Sequence, residues 1–243
     1  MKQVKYKLSG HIIALFIDFN LTFIRKISSI IFVIIFLSIG LFAQETVTDR
    51  DGNVYKTITI GSQVWMAEDL KTTRYRNGDL IATTSPDTLD ISRENTPNYQ
   101  WAYDGNESNV AVYGRLYTWY AVTDSRNIAP VGWHVSTDSE WTILINFLGG
   151  EIAAQGKLKE AGIAHWNSPN IDATNESGFT ALPGGNRWDK SFSGLGNFTH
   201  WWTSTGYNSK FAWRRTLWKD VPIDNTGGYA DKKIGWLVRC IKD

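Results

Sequence analysis

Twelve tryptophans lie between residues 44 and 243, and the same stretch holds one cysteine, Cys240. With a single thiol no internal disulfide can brace the chain, so its stability has to come from a packed core in which indole rings fill much of the volume. Aromatic residues make up 14% of the sequence and charged residues 20%, a balance that predicts a folded domain rather than disorder.

Residues 1–43 are built differently. They carry Lys2, Lys5, Lys7, Arg25 and Lys26 against one acid, Asp18, and then run apolar from Ile27 to Phe42. Arg25 and Lys26 before that run, with Leu41-Phe42-Ala43 after it, have the order of a secretory leader cleaved ahead of Gln44. The run falls just short of the roughly 18 to 20 apolar residues that span a bilayer, so a signal peptide is favoured over an N-terminal anchor. The expected organisation is therefore a leader or anchor at 1–43 and one domain at 44–243, secreted or held in the cell envelope. Membrane contact is expected only through residues 27–43, if they are retained. No cysteine at the end of the leader is present to accept a lipid. Without the leader, the sequence's 25 basic and 24 acidic residues reduce to a net charge of about −3, which predicts no nucleic-acid partner.

Along the domain, Asp51-Gly52-Asn53 and Gly61-Ser62 are turn signals that make Thr46–Trp65 a hairpin. Val54, Ile58 and Ile60 fall on one face at period two, with Tyr55, Thr57 and Thr59 on the other. Residues 71–109 contain Pro86 and Pro97 and keep no period, so they read as a long loop with one short helix at most. In 113–122, Tyr113, Leu116, Tyr117, Tyr120 and Ala121 form an i, i+3, i+4, i+7, i+8 stripe that predicts an amphipathic helix. Thr137 and Glu140 have capping-box spacing, and Trp141, Leu144, Ile145 and Leu148 follow at helical intervals until Gly149-Gly150. A short third helix is expected over 155–161, ended by Gly162, and residues 234–241 are expected to form a closing strand. Strands at both ends with helices between them predict an α+β fold of small antiparallel sheets, two main helices and long irregular loops.

Seven ordered stretches resemble the Fibrobacter succinogenes major paralogous domain, a family also found in Bacteroidetes. They are IGSQVWMAEDL (60–70), YGRLYTWYAV (113–122), PVGWHVSTDSEWTIL (130–144), KLKEAG (157–162), TNESGFTALPGG (174–185), WWTST (201–205) and KKIGWLVRCIKD (232–243). The resemblance implies a C-type lectin-like domain related to the formylglycine-generating type. It also implies a cysteine where this chain has Ala129, able to pair with the one matching Cys240. Here that partner is missing, and Cys240 is expected to be a small buried hydrophobe.

Little in the sequence points to catalysis. The formylglycine-generating relatives act through two cysteines, and this chain has one. His134, His165 and His200 lack zinc-ligand spacing, Ser193 lies outside a GxSxG elbow, and Leu182-Pro183-Gly184-Gly185 reads as a tight turn rather than a phosphate loop. Glu140, beside Asp138, already has a capping role. Asp172, Asn175 and Glu176 offer the oxygen ligands that calcium takes, but the same side chains suit a self-bonded turn; no metal and no cofactor is assigned.

Binding is the better-supported class. Trp188, Trp201, Trp202, Trp213 and Trp218 crowd residues 188–218, with Asn and Arg side chains among them. Indole faces stack on sugar rings while polar neighbours bond hydroxyls. Trp201 and Trp202 are expected in the core. Trp188, Trp218, Arg187, Asn186 and Arg214 are the candidate ligand-binding residues, and Lys210 with Arg214-Arg215 forms a candidate basic patch. The expectation is an exported, non-catalytic module that binds a glycan or a surface protein, with a structural envelope domain as the alternative.

Overall fold

The computed structural model describes residues 45–220 and 227–243. The expected leader, its cleavage site and the anchor alternative at 27–43 lie outside the described residues. The domain is a mixed α+β fold, mostly β. Its first sheet runs in the order β1 (Thr46–Thr48), β2 (Val54–Ile60), β3 (Gln63–Met66), β12 (Cys240–Lys242), β6 (Trp133–Val135). The second runs β11 (Gly227–Asp231), β10 (Phe211–Trp218), β9 (Phe198–Gly206), β7 (Gly184–Trp188), β8 (Ser191–Leu195). A short ladder pairs β4 (Gln100–Trp101) with β5 (Leu116–Tyr117). These pairings are antiparallel except β7 with β9, which run parallel at Gly185 and Thr199.

Both predicted turns are present, and the first has a clear cause. The Asp49 carboxylate accepts from the backbone N–H groups of Asp51 and Asn53 at 2.9 and 3.0 Å and from the Tyr55 hydroxyl. That last bond turns Tyr55 inward, so Tyr55 and Thr57 are buried and Val54 is exposed, against the period-two reading at the start of β2, while at its end Ile60 is buried, Ile58 half-buried and Thr59 exposed, as that reading has it. Of the long loop expected over 71–109, residues 71–99 are irregular; the rest holds β4, a 3-10 turn at Tyr103–Gly105 and the start of a helix at Glu107.

The stripe at 113–122 is not one helix. Helix α1 (Glu107–Tyr113) ends at Gly114, whose φ is +80° and whose added Cβ would lie 2.8 Å from Asp69 Cβ and 3.0 Å from the Leu70 carbonyl. The chain therefore turns, forms β5, and resumes as the single turn α2 (Trp119–Val122). Leu116, Tyr117 and Ala121 are buried as a helix would bury them, but through a turn, a strand and a short helix.

Helix α3 (Asp138–Phe147) matches the sequence reading: Thr137 Oγ1 accepts from Glu140 N–H, and Glu140 Oε2 accepts from Thr137 N–H. Trp141, Leu144 and Ile145 face inward. Helix α4 spans Glu151–Leu158, starting four residues ahead of the expected third helix. The expected closing strand is mostly a seam. Only Cys240–Lys242 enters a ladder, between β3 and β6, while Gly235, Trp236 and Leu237 bridge singly to Arg187, Tyr117 and Trp201. Residues 234–239 thus bond to both sheets and to β5.

Eight of the twelve tryptophans are buried: 65, 101, 133, 141, 166, 201, 202 and 236. Trp65, Trp141 and Trp201 meet Phe179 in one cluster, with ring centroids 5.1 to 5.9 Å apart. Trp202 and Trp236, 4.3 Å apart, belong to a second cluster with Cys240 and Ala129. Cys240 is fully buried, as expected of a small hydrophobe.

Two histidines give the fold opposite pH responses. Burial, aided by Arg214, holds His200 well below the usual histidine pKa, so it folds neutral. The unfolded chain takes up that proton below about pH 6.5, and the stability His200 contributes is lost as pH falls from there. His134 is also pulled down by burial, but the Asp243 and Glu140 carboxylates at 2.7 and 2.8 Å outweigh this and raise its pKa. Its contribution is complete below about pH 6.5 and is lost as pH rises through the raised value. Urea unfolding from pH 5 to 8 is expected to show a weaker acid loss in His200→Asn and a steeper one in His134→Gln. Parallel curves for both variants would remove this assignment.

Candidate functional site

The site is built where the free edge of the second sheet meets the long irregular segment. The turn from β9 to β10 is set by Asn208, whose Oδ1 accepts from Lys210 and Phe211 N–H at 2.9 and 2.8 Å. It brings Tyr207 onto Tyr229 of β11, the rings stacked at 4.1 Å and 2°, with Trp213 edge-on to both at 89° and 87°. Tyr229 is 50% exposed on its edge strand. The β7–β8 hairpin turns at Asp189, whose φ is +56°, and leaves Trp188 61% exposed at its tip.

Between these rings lies a groove of about 670 Å³ lined by Trp188, Phe211, Tyr229, Ile91 and Ser92, among others. Lys210, Lys233, Asp189 and Asp231 add charges of both signs to its walls. Lys210 lies 3.7 Å from Asp231, and Lys233 Nζ donates to the Ser92 carbonyl at 2.6 Å. A groove of this size, with apolar ring faces and polar groups at its margins, suits a ligand that is flat and apolar on its faces and hydroxylated at its edge.

Of the five residues predicted from sequence, Trp188 alone lines this groove. Trp218 is half-buried and packs on Phe198 at 4.7 Å. Asn186 is buried and accepts from Ser193 Oγ of strand β8 at 2.8 Å. Arg187 is fully buried. Arg214 lies half-buried over the Trp236 ring, with its Nη1 unpartnered. The expected basic patch does not form, because Arg215 is buried against α3, 2.7 Å from Asp138, while Lys210 stands out on the turn. Trp201 and Trp202 are core residues as expected. Tyr207, Phe211, Tyr229, Ile91 and Ser92 escaped the sequence reading. Their one local signal was the Asn208 turn; the rest depends on the register that sets Trp213 opposite Tyr229.

Of the calcium candidates, Asn175 bonds its own loop and Glu176 faces helix α4. Asn175 Oδ1 accepts from Thr180 N–H at 2.9 Å and its Nδ2 donates to Thr180 Oγ1 at 3.0 Å, while exposed Glu176 faces Lys157 at 3.8 Å. Among the described residues no group of three or more His, Cys, Asp or Glu is placed to hold a metal ion, and no helix is long and apolar enough to cross a membrane.

Fold and site together define a mostly-β α+β module with an aromatic groove along one sheet edge. The chain belongs to the Fibrobacter succinogenes major domain family, whose profile matches residues 58–242. Searches of the curated proteins and of the solved structures each gave no match.

Proposed function

We propose that this chain is an exported, non-catalytic binding module, secreted or in the cell envelope, that holds a carbohydrate in the Trp188–Tyr229 groove without a metal or other cofactor. The observation that carries the reading is the exposure of Trp188 and Tyr229 beside one concave surface, in a molecule that buries eight of its twelve tryptophans. Large rings left in water around a groove are what stacking on sugar faces requires, and isolated rings on a flat surface would carry no such meaning. The C-type lectin-like fold implied by the family resemblance agrees with the small curled sheets and two main helices. The basic, apolar composition of residues 1–43 supports export.

The test is binding of the purified protein to an array of glycans and cell-wall polysaccharides, with calcium and with a chelator. A signal unaffected by the chelator is expected, weakened at least about tenfold in Trp188→Ala and in Tyr229→Ala, the loss typical of a truncated aromatic anchor. Trp218→Ala is expected to bind as the parent does. Silence across the array would sink the glycan reading in favour of a protein-binding or structural envelope domain.

A further inference from the structure

We propose that Arg187 is the positioning residue of this groove: from beneath the surface it holds residues 87–92 in place as the wall facing Trp188. The inference rests on reading the groove as the ligand site. Arg187 and Trp188 are neighbours on β7 and so project to opposite sides of the strand. Trp188 goes out to the groove, and Arg187 goes in, with no exposed surface. Its guanidinium lies 4.1 Å over the Trp101 ring, and its two donors reach the irregular segment: Nε to the Asp87 carbonyl at 2.9 Å, Nη2 to the Leu89 carbonyl at 2.7 Å.

That segment has few supports of its own. It forms neither helix nor strand, and Thr88, Leu89 and Asp90 are exposed. Within it, Leu89 N–H bonds to the Pro86 carbonyl, and Thr84 Oγ1, itself held by Trp101 Nε1, bonds to the Asp87 carbonyl. Ser92 N–H bonds to the Asp90 carboxylate at 2.9 Å, Glu94 N–H bonds to the Ile91 carbonyl at 3.1 Å, and the Ile91 side chain is buried. Beside Arg187, two more cations tie the segment to its surroundings. Lys190, at the tip of the β7–β8 hairpin, lies 3.3 Å from Asp90, and Lys233 holds Ser92. Ile91 and Ser92 between these ties are the groove wall.

Packing alone does not explain Arg187. Among the described residues it forms no ion pair, the carboxylates of Asp87, Asp189 and Asp90 acting on it only from longer range, and its Nη1 has no hydrogen bond. A charge buried in this way is costly, and an apolar side chain of similar volume fills such a space at less cost. What the apolar side chain lacks is a rigid fork able to bind two carbonyls of a loop at once. Trp188 and the wall opposite it are thereby fixed from adjacent positions of one strand.

The test needs no ligand. Ser92→Cys carries a bimane label, which Trp188 quenches on contact; Cys240 is buried and stays unlabelled. In Arg187→Met the label is expected to brighten by at least half the difference seen in Trp188→Phe, with Arg187→Lys in between. Amide exchange in peptides covering 85–92 is expected to rise about tenfold, while peptides from β9 and β10 keep their rates. Unchanged quenching and unchanged exchange in Arg187→Met would overturn the proposal, as would a rise in exchange spread evenly over the whole domain. A silent glycan array removes the sugar reading and leaves this result standing, so the two failures are separable.

Discussion

Asp69→Ala is expected to lower the unfolding free energy by about 3–5 kcal/mol, a large part of the roughly 5–15 kcal/mol that holds a domain folded. Asp69 is 5% exposed and Arg239 1%. Asp69 Oδ1 accepts from Arg239 Nε and from Trp201 Nε1, both at 2.7 Å. Arg239 continues through Nη1 to the carbonyls of Met66 and Phe179, with its guanidinium 4.2 Å over the Phe179 ring. The pair therefore joins the end of β3, the terminal segment and the Trp65–Trp141–Trp201 cluster. Removing the carboxylate leaves a buried guanidinium without its counter-charge and an indole N–H without its acceptor, and the cost is set by those orphans rather than by the bond itself. The double variant Asp69→Leu with Arg239→Met is accordingly expected to recover more than half of the loss. Urea unfolding of the three proteins decides: a single-variant loss below about 1 kcal/mol means that the pair does not hold the core.

Ala129→Cys is expected to act in the opposite direction, raising stability by about 2–4 kcal/mol under oxidising conditions. Ala129 and Cys240 are 2% and 0% exposed and lie in the same core cluster. The backbone at Ala129 is already fixed, since Arg76 donates to the carbonyls of Ala129, Pro130 and Trp133 at 3.2, 2.8 and 2.9 Å. The family resemblance puts a cysteine at this position, and the loop that the bridge closes, about 110 residues, is long enough for a large entropic effect. Burial pushes the Cys240 thiol pKa up, so the bridge is expected to form during oxidative refolding and not on exposing the folded protein to oxidant. Non-reducing gels and melting curves with and without dithiothreitol check this. A bridge that forms without raising the melting temperature would show that the core around Ala129 has no room for the second sulfur.

The capping box at Thr137 and Glu140 was legible because both partners lie within four residues and the helix after it is amphipathic. The stripe at 113–122 misled for the same reason that it was noticed. Burial of Leu116, Tyr117 and Ala121 is real, but Gly114 packs against the Asp69–Leu70 backbone far along the chain, and periodicity carries no record of that contact. The site followed the same rule. Trp188 stood out as an indole of the tryptophan-rich run 188–218 that lies outside the family motifs, whereas Tyr229 and Phe211 became groove residues only through pairing across β10 and β11.

The sequence by itself determined that this domain has no internal disulfide, that its core is aromatic, that Thr137 and Glu140 cap helix α3, and that the chain belongs with its family. These follow from composition, short-range spacing and ordered motifs, all of which act along the chain. Only the tertiary structure decided which indoles reach water, which arginines are buried, and where the groove lies. Those outcomes depend on strand register and on contacts between residues as far apart as Asp87 and Arg187, which no local pattern encodes.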